Sequence, residues 1–156
     1  MPGRVDTASR LVRAPASTIY RAFATPDAMN AWLPPRGMTG SVRGFAFHEG
    51  GGYRLRLTYR EERHTPGKTS ANSDEAEVRL LRLVPDKCIE QAVVFDSDDP
   101  AYSGEMRIAW TFESAHDGTL VTVRCENVPG GIRPEDHQAG LNSTLENLAA
   151  FAERNT

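Results

Sequence analysis

The sequence predicts an α+β protein in which a curved antiparallel sheet of about seven strands surrounds a long C-terminal helix, with two short helices after the first strand. Three observations predict this fold class. Apolar residues recur at helical spacing twice between Ser17 and Leu33. Alternation of apolar and polar residues dominates the middle of the chain, as in strands with one solvated face. The segment that begins at Pro134 has the apolar spacing of an amphipathic helix.

Size and composition indicate one globular domain over residues 1–156. The chain has 39% hydrophobic and 25% charged residues, which is typical of folded domains and unlike disordered chains. Its net charge of −3 argues against a nucleic-acid binder, which normally presents a strongly basic face. Arg54, Arg56 and Arg60 form a local basic stripe, but acidic residues follow it directly. We interpret this stripe as a solvated sheet face.

The N-terminal residues carry no apolar stretch of the signal-peptide kind, and no apolar run reaches the roughly 18 residues that a spanning helix needs. We therefore expect a cytoplasmic protein without a membrane partner. Cys88 and Cys125 both lie in apolar strand-like segments, where a free thiol behaves as a small hydrophobic side chain. A disulfide between them is not expected in a reducing compartment.

The first elements are predicted from their start signals. Val5 to Arg13 alternates weakly and is predicted as a strand. Pro15 fits the first turn of a helix, because its missing N–H would have no partner there. A second helix is predicted from Thr25 as N-cap, Pro26 at the first position and Asp27 near the positive end of the helix dipole. Two short helices in tandem follow from these signals.

The sheet is predicted to resume near Phe45 and Phe47, which share one face of a strand. Gly50 to Gly52 supplies the backbone freedom that a tight hairpin needs. Tyr53 to Arg60 then alternates without interruption and is the clearest strand signal in the chain. His64 to Ser73 is polar and aperiodic, so it is predicted as a loop at the rim of the sheet.

The remaining strands and the last helix complete the pattern. Strands are predicted over Glu75 to Val84, Cys88 to Phe95, Glu105 to Phe112 and Leu120 to Glu126. The last helix is predicted from Pro134 to about Glu153, with two acidic residues in its first turn. Its inward stripe comprises His137, Leu141, Thr144, Leu145, Leu148 and Phe151.

Several of these segments resemble the SRPBCC superfamily, in particular its branch similar to the C-terminal domain of the activator of Hsp90 ATPase. The resemblance rests on the ordered set Arg13-Ala14-Pro15, Thr25-Pro26 through Trp32-Leu33-Pro34-Pro35, Gly50-Gly51-Gly52-Tyr53-Arg54, Leu83-Val84-Pro85 and Gly140-Leu141 through Leu145. It implies a helix-grip fold whose sheet and long helix enclose a cavity for lipids, hormones, polyketides or other apolar ligands. It implies no single reaction, because carriers and cyclases share this fold.

The sequence contains no recognisable catalytic or metal-binding motif. His48, His64, His116 and His137 are scattered, without the spacing of a metal site. Gly50 to Gly52 lacks the spacing and the following helix of a nucleotide-binding loop, and no nucleophile elbow occurs. We therefore predict no metal and no cofactor, and we name no catalytic residue.

Three titratable residues are candidates for acid–base chemistry. His137 is the one histidine on the inward stripe and could act near neutral pH, but its place in the first helical turn favours an exposed or hydrogen-bonded role. Glu49 and Glu77 are weaker candidates. Glu77 lies on the face opposite Val78, unless a bulge near Leu80-Leu81 shifts the register.

The candidate ligand-binding residues are those that the pattern places on the inner face with a large apolar body or a polar group. They are Trp32, Phe45, Tyr53, Tyr59, Gln91, Phe95, Met106, Trp110, His137 and Leu141. Gln91 shares a face with Ile89 and Val93, so its buried amide needs a protein partner, a water or a ligand. We predict that an apolar or amphipathic small molecule binds between the sheet and the C-terminal helix.

Three alternatives stay open at the level of sequence. A small cyclase- or hydrolase-like enzyme could use the same cavity. The resemblance also suggests a chaperone-partner module of the Hsp90 type, but the eukaryotic co-chaperone has a further N-terminal domain, whereas the first strand predicted here begins at Val5. An uncovered sheet face or edge could pair with a second copy, so a homodimer is a hypothesis compatible with either role.

Overall fold

The predicted fold class and order of elements are confirmed by a computed structural model, which describes residues 3–35, 37–59 and 73–155. The elements are β1 (Val5–Val12), α1 (Ala16–Arg21), α2 (Pro26–Trp32), β2 (Met38–Ala46), β3 (Gly52–Tyr59), β4 (Ser73–Val84), β5 (Cys88–Phe95), β6 (Glu105–Ala115), β7 (Gly118–Glu126) and α3 (Pro134–Arg154). A short 3-10 helix, Pro100–Tyr102, lies between β5 and β6.

The strands form one curved antiparallel sheet in the order β1-β7-β6-β5-β4-β3-β2. Because side chains alternate between faces along each strand, the register aligns inward residues in rows. One row crosses β3 to β6 and comprises Tyr53, Val78, Val93 and Met106. The next row crosses β4, β5, β6, β7 and β1 and comprises Leu80, Gln91, Ile108, Cys125 and Asp6. Polar side chains therefore enter the inner face at Gln91 and, near the edge, at Asp6.

The two short helices differ in how they begin. The Thr25 hydroxyl accepts a hydrogen bond from the Ala28 amide at 3.2 Å, and Pro26 occupies the first turn of α2, as predicted. Pro15 instead lies just before α1 in an extended conformation, and its carbonyl accepts a hydrogen bond from the Ile19 amide. Pro15 is therefore the N-cap of α1 rather than its first residue, because the cap supplies the first carbonyl of the helix.

The long helix α3 packs against β1 and against the end of α2. The Thr144 hydroxyl donates to the Leu33 carbonyl at 3.2 Å, and the Asn147 side-chain amide donates to the Pro34 carbonyl at 2.9 Å. Carbonyl groups at a helix end have no partner within the helix, so they need such donors. The middle of α3 therefore holds the C-terminal end of α2 in place.

The edge strand β2 is longer than the sequence predicts. β2 runs from Met38 to Ala46, and its pairing with β3 changes register after Arg43. Gly44 has a φ of +63° at this irregularity, where a bulge favours glycine. Glycines at 40 and 44 interrupt the alternation of apolar residues, so the full strand was not recognisable from its pattern.

The predicted glycine hairpin joins β2 to β3. Gly50 has a φ of +88°, in the left-handed region that glycine adopts freely. Gly52 is needed for a different reason, because a Cβ there would lie 2.0 Å from the backbone oxygen of Val78. The glycine run therefore both turns the chain and allows β3 and β4 to approach each other.

Other local predictions are corrected or confirmed. A bulge near Leu80-Leu81 was the one exception considered for the position of Glu77. A register shift is present between Leu80 and Arg82, but it lies beyond Glu77, which stays on the outer face 3.9 Å from Arg54. The predicted loop ends one residue early, because Ser73 is already the first residue of β4 and is buried. Residues 64–72 of that loop lie outside the described residues.

The 3-10 helix between β5 and β6 was not predicted. The Asp99 carboxylate accepts a hydrogen bond from the Ala101 amide at 2.9 Å, and Pro100 occupies the first position. A single turn leaves no apolar periodicity in the sequence, so only its capping signal could have indicated it.

The outer face of the sheet carries ion pairs. Arg54 lies 3.2 Å from the Asp96 carboxylate, and Arg79 lies 3.1 Å from that of Glu105. Arg56 is exposed, which supports the interpretation of the arginine stripe as a solvated face, whereas Arg60 lies outside the described residues.

Cys88 is half-buried, Cys125 is fully buried, and both are free thiols. Within the described residues, no helix combines the length and apolar character required to cross a membrane.

Candidate ligand-binding cavity

A cavity of about 140 Å³ lies between the inner face of the sheet and α2. Its walls come from the segment between α1 and α2, from α2 with its C-cap Leu33, and from strands β3 to β6. The lining residues are Phe23, Met29, Leu33, Tyr53, Leu55, Ala76, Val78, Gln91, Val93, Phe95, Met106, Ile108 and Trp110. Eleven of these thirteen are aliphatic, aromatic or thioether side chains without a titratable group or amide.

Aromatic side chains form the wall below α1 and α2. The rings of Phe23 and Trp110, both in the lining, are 5.1 Å apart between centroids. Trp32 lies behind them, with its ring centroid 4.7 Å from that of Phe23. Edge-to-face contacts of this kind are favourable between rings and fix their orientation. This wall is therefore a packed surface whose shape is determined before any ligand enters.

A single polar pair interrupts the apolar lining. The Gln91 side-chain amide donates a hydrogen bond to the Tyr53 hydroxyl at 3.3 Å, and both residues are almost fully buried. Burial raises the pKa of Tyr53 well above its ordinary value, although the hydrogen bond with Gln91 opposes this effect. Tyr53 therefore stays protonated at any physiological pH, and the pair is electrically neutral.

Charged side chains are absent from the described lining of the cavity. A general base or nucleophile near neutral pH would need a carboxylate, a histidine, a thiolate or a lysine. The raised pKa of Tyr53 prevents its hydroxyl from taking this role. Within the described residues, the lining therefore offers no charged acid or base near neutral pH.

Five of the ten residues predicted to bind a ligand line the cavity. They are Tyr53, Gln91, Phe95, Met106 and Trp110. All lie on β3, β5 and β6, where strict alternation identifies the inner face. Their role in ligand binding stays a prediction, but the structure does bring them together around one space.

The other five predicted residues lie elsewhere. Trp32 is fully buried behind the wall, with its indole N–H donating to the Ala22 carbonyl at 2.8 Å. Phe45 stacks on Tyr53 at 5.7 Å from outside the cavity lining. The Tyr59 hydroxyl donates to the Asp74 carboxylate at 3.3 Å.

The predicted contributions of α3 to the cavity are not found among its described lining residues. Leu141 is half-buried and packs against the core, and His137 binds Asp6 on β1. The inner face next to the cavity is covered instead by α2, through Met29 and Leu33. The prediction that the cavity lies between the sheet and α3 therefore needs correction, because α3 lies over the β1 side of the sheet.

His137 belongs to a polar cluster at that edge. Its Nδ1 lies 2.7 Å from an Asp6 carboxylate oxygen, to which Arg4 also donates at 3.1 Å. Burial alone would raise the pKa of Asp6, but the hydrogen bonds from His137 and Arg4 outweigh it and hold the pKa below its ordinary value. Because an ionised carboxylate only accepts hydrogen bonds, the proton lies on Nδ1 of His137. This cluster ties α3 to β1.

The Cys125 thiol lies beside this cluster, directly across from Asp6 in the sheet. Burial raises its pKa to about 12, with a further contribution from the charge of Asp6. A thiol with so high a pKa is not a nucleophile at neutral pH. Cys125 is therefore a packing residue of the inner face.

Eight lining residues were not among the predicted ligand-binding residues. They are Phe23, Met29, Leu33, Leu55, Ala76, Val78, Val93 and Ile108. Each was recognisable as an inward residue from its periodicity, but core and cavity-lining positions share the same pattern. Large inward side chains such as Trp32 fill the core, whereas small ones such as Ala76 leave the space open.

The curved antiparallel sheet and the long C-terminal helix define a protein of the helix-grip class. A family model for activator of Hsp90 ATPase homolog 1-like proteins matches residues 13–153. The chain belongs to this family, and the resemblance of its sequence to that branch of the SRPBCC superfamily is confirmed.

Solved structures share the whole fold. A protein from Chromobacterium violaceum is 29% identical, with a TM-score of 0.83 and 96% of each chain covered. A protein from Rhodobacter sphaeroides is 16% identical, with a TM-score of 0.78 and coverage of 100% of this chain and 97% of the other. An AHSA1-like protein from Aeromonas hydrophila is 14% identical, with a TM-score of 0.71 and coverage of 97% and 94%. The last two show similarity of fold alone. Among curated proteins, none matches this chain.

Proposed function

We propose that this protein binds an apolar small molecule in the cavity between α2 and strands β3 to β6. The observation that carries the proposal is a cavity of about 140 Å³ with a largely apolar lining and one hydrogen-bonded polar pair. Ligand sites in proteins have this composition, with a few polar groups that orient the ligand. The affiliation to the helix-grip family is compatible with this role.

The volume indicates the size of the ligand. An engineered apolar protein cavity of about 150 Å³ binds benzene. The present cavity is of the same size, so it suits a molecule built on one ring or a short branched chain. Toluene is therefore a reasonable first probe molecule, and its burial is favoured because apolar surface leaves water.

The proposal is tested by titrating toluene and measuring calorimetric heats together with NMR shifts of the Val78 and Val93 methyl groups. Ala76→Leu fills the cavity with added methyl groups and is expected to weaken toluene binding at least about tenfold, because the ligand must compete with the new side chain. Ala115→Leu is the matched control, since Ala115 is exposed at the end of β6 and should leave binding unchanged. Absence of binding by the natural chain, or equal binding by Ala76→Leu, would contradict the proposal.

A chaperone-partner role is a second candidate, favoured by the description of the family as homologues of an Hsp90 ATPase activator. It predicts a higher Hsp90 ATPase rate in the presence of this protein. The rate should then be insensitive to Ala76→Leu if the outer surface makes the contact. An unchanged ATPase rate at saturating protein would remove this candidate.

A further inference from the structure

The polar pair in the cavity has hydrogen-bonding capacity that the protein does not use. In the geometry observed, the Gln91 amide nitrogen donates to the Tyr53 oxygen at 3.3 Å. The Tyr53 hydroxyl proton and the Gln91 amide oxygen then have no side-chain partner within the described residues. The Gln91 amide oxygen is not among the buried atoms without a partner, and both side chains belong to the cavity lining. At least one donor and one acceptor therefore remain for a ligand.

This result does not depend on the orientation of the Gln91 amide. If the amide is turned over, the Tyr53 hydroxyl donates to the Gln91 oxygen, which leaves an amide N–H as donor and the Tyr53 oxygen as acceptor. Either arrangement offers at least one donor and one acceptor side by side. Either arrangement is also neutral, because burial keeps the proton on Tyr53.

The surroundings of the pair determine which ligand groups are tolerated. The remaining described lining is apolar except for the indole N–H of Trp110, and it contains no arginine, lysine or histidine. An anionic ligand group would lose its hydration without gaining an opposite charge, which is costly in an apolar site. A neutral group that both donates and accepts would instead satisfy the pair and be satisfied by it.

We propose that the cavity selects a neutral, oxygen-bearing molecule of about one ring in size, such as a primary amide or an alcohol, and rejects the carboxylate of the same shape. This inference rests on the proposed binding function and adds the chemical class of the ligand. Tyr53 and Gln91 are the specificity-determining residues, and the aromatic and aliphatic walls hold the rest of the molecule.

Benzamide and benzoate provide the matched test, because they share one shape and differ in charge. We expect the natural chain to bind benzamide more than roughly 100-fold tighter than benzoate at neutral pH. Calorimetric or NMR titration measures both affinities, and toluene serves as the reference without a polar group. If toluene and benzamide both fail to bind, the binding function itself is wrong. If toluene binds and benzoate binds as tightly as benzamide, only the selectivity is wrong.

Two variants test whether the polar pair produces the selectivity. Tyr53→Phe and Gln91→Leu each remove half of the pair and are expected to lower the ratio of benzamide to toluene affinity by roughly 3- to 10-fold. Tyr59→Phe and Gln138→Leu are matched controls, since both residues lie outside the cavity lining and should leave the ratio unchanged. An unchanged ratio in either folded cavity variant would overturn the assignment, and the comparison of benzamide with benzoate needs no variant.

Discussion

Hydrogen bonds from His137 and Arg4 stabilise the ionised form of the Asp6 carboxylate on the inner face of the sheet. It is largely buried, yet it accepts hydrogen bonds from His137 and Arg4, which hold its pKa below the ordinary value of 3.8. A carboxyl whose pKa is lower in the folded state stabilises the fold at pH values above 3.8. That contribution is lost as the pH falls through the folded value.

Replacement of Asp6 should therefore change the acid sensitivity of the protein. Asp6→Asn is expected to lower the free energy of unfolding at pH 7 by about 1.5 kcal/mol, because the hydrogen bonds lose their charged acceptor. It should also weaken the fall in stability below pH 4. Urea unfolding at several pH values measures both effects. Asp98→Asn is the control, since Asp98 is exposed. If the free energy of unfolding of Asp6→Asn depended on pH as strongly as that of the natural chain, the role assigned to Asp6 would be contradicted.

Among elements, the end of α2 depends on side chains that are distant in sequence. Leu33 lines the cavity, and its carbonyl accepts the hydrogen bond of Thr144 from α3. The neighbouring Pro34 carbonyl is bound by Asn147 in the same way. The long helix therefore influences the cavity by holding the wall that α2 forms, although it supplies no described lining residue.

Removal of this contact should loosen α2. Thr144→Val keeps the shape of the side chain but leaves the Leu33 carbonyl without its donor, so the free energy of unfolding should fall by about 1 kcal/mol. Amide hydrogen exchange at Met29 and Leu33 should become faster than in the natural chain. Thr111→Val, at an exposed position of β6, is the matched control. Equal exchange rates in both variants would show that the hydrogen bond does not secure α2.

Most elements could be predicted because their periodicity is local. The boundaries of β5 agree with the prediction, and the Thr25 cap of α2 forms as expected. Only the end of β2, near Phe45, was predicted, because the bulge and the glycines of this strand break the alternation by which strands are recognised. Element type thus follows from the sequence wherever one face of the chain is uniformly apolar.

At the level of the whole molecule, the N-terminal strand β1 contacts the C-terminal elements β7 and α3. It pairs with β7 at the edge of the sheet and packs against α3. Trp32 and Trp110 lie in the centre, with ring centroids 5.8 Å apart. We propose on this basis that residues 1–156 form a single domain.

A single domain predicts one cooperative unfolding transition. Tryptophan fluorescence and far-UV circular dichroism should give the same urea midpoint, because the core and the secondary structure are lost together. Leu148→Ala should lower both midpoints equally, with a loss of about 2–5 kcal/mol, since Leu148 is fully buried. Two separate transitions would contradict the single domain. A midpoint that rises with protein concentration would instead support the homodimer hypothesis.

The sequence by itself determined the class of fold, the family and the inner face of the sheet, including the neighbourhood of Tyr53, Gln91 and Trp110. These features follow from spacings of two or about 3.6 residues, which the chain encodes locally. Only the tertiary structure decided that α2 rather than α3 lines the cavity and that His137 binds Asp6. The His137–Asp6 contact and the Thr144–Leu33 hydrogen bond that holds α2 join residues more than a hundred positions apart, and they depend on how the helices pack across the sheet.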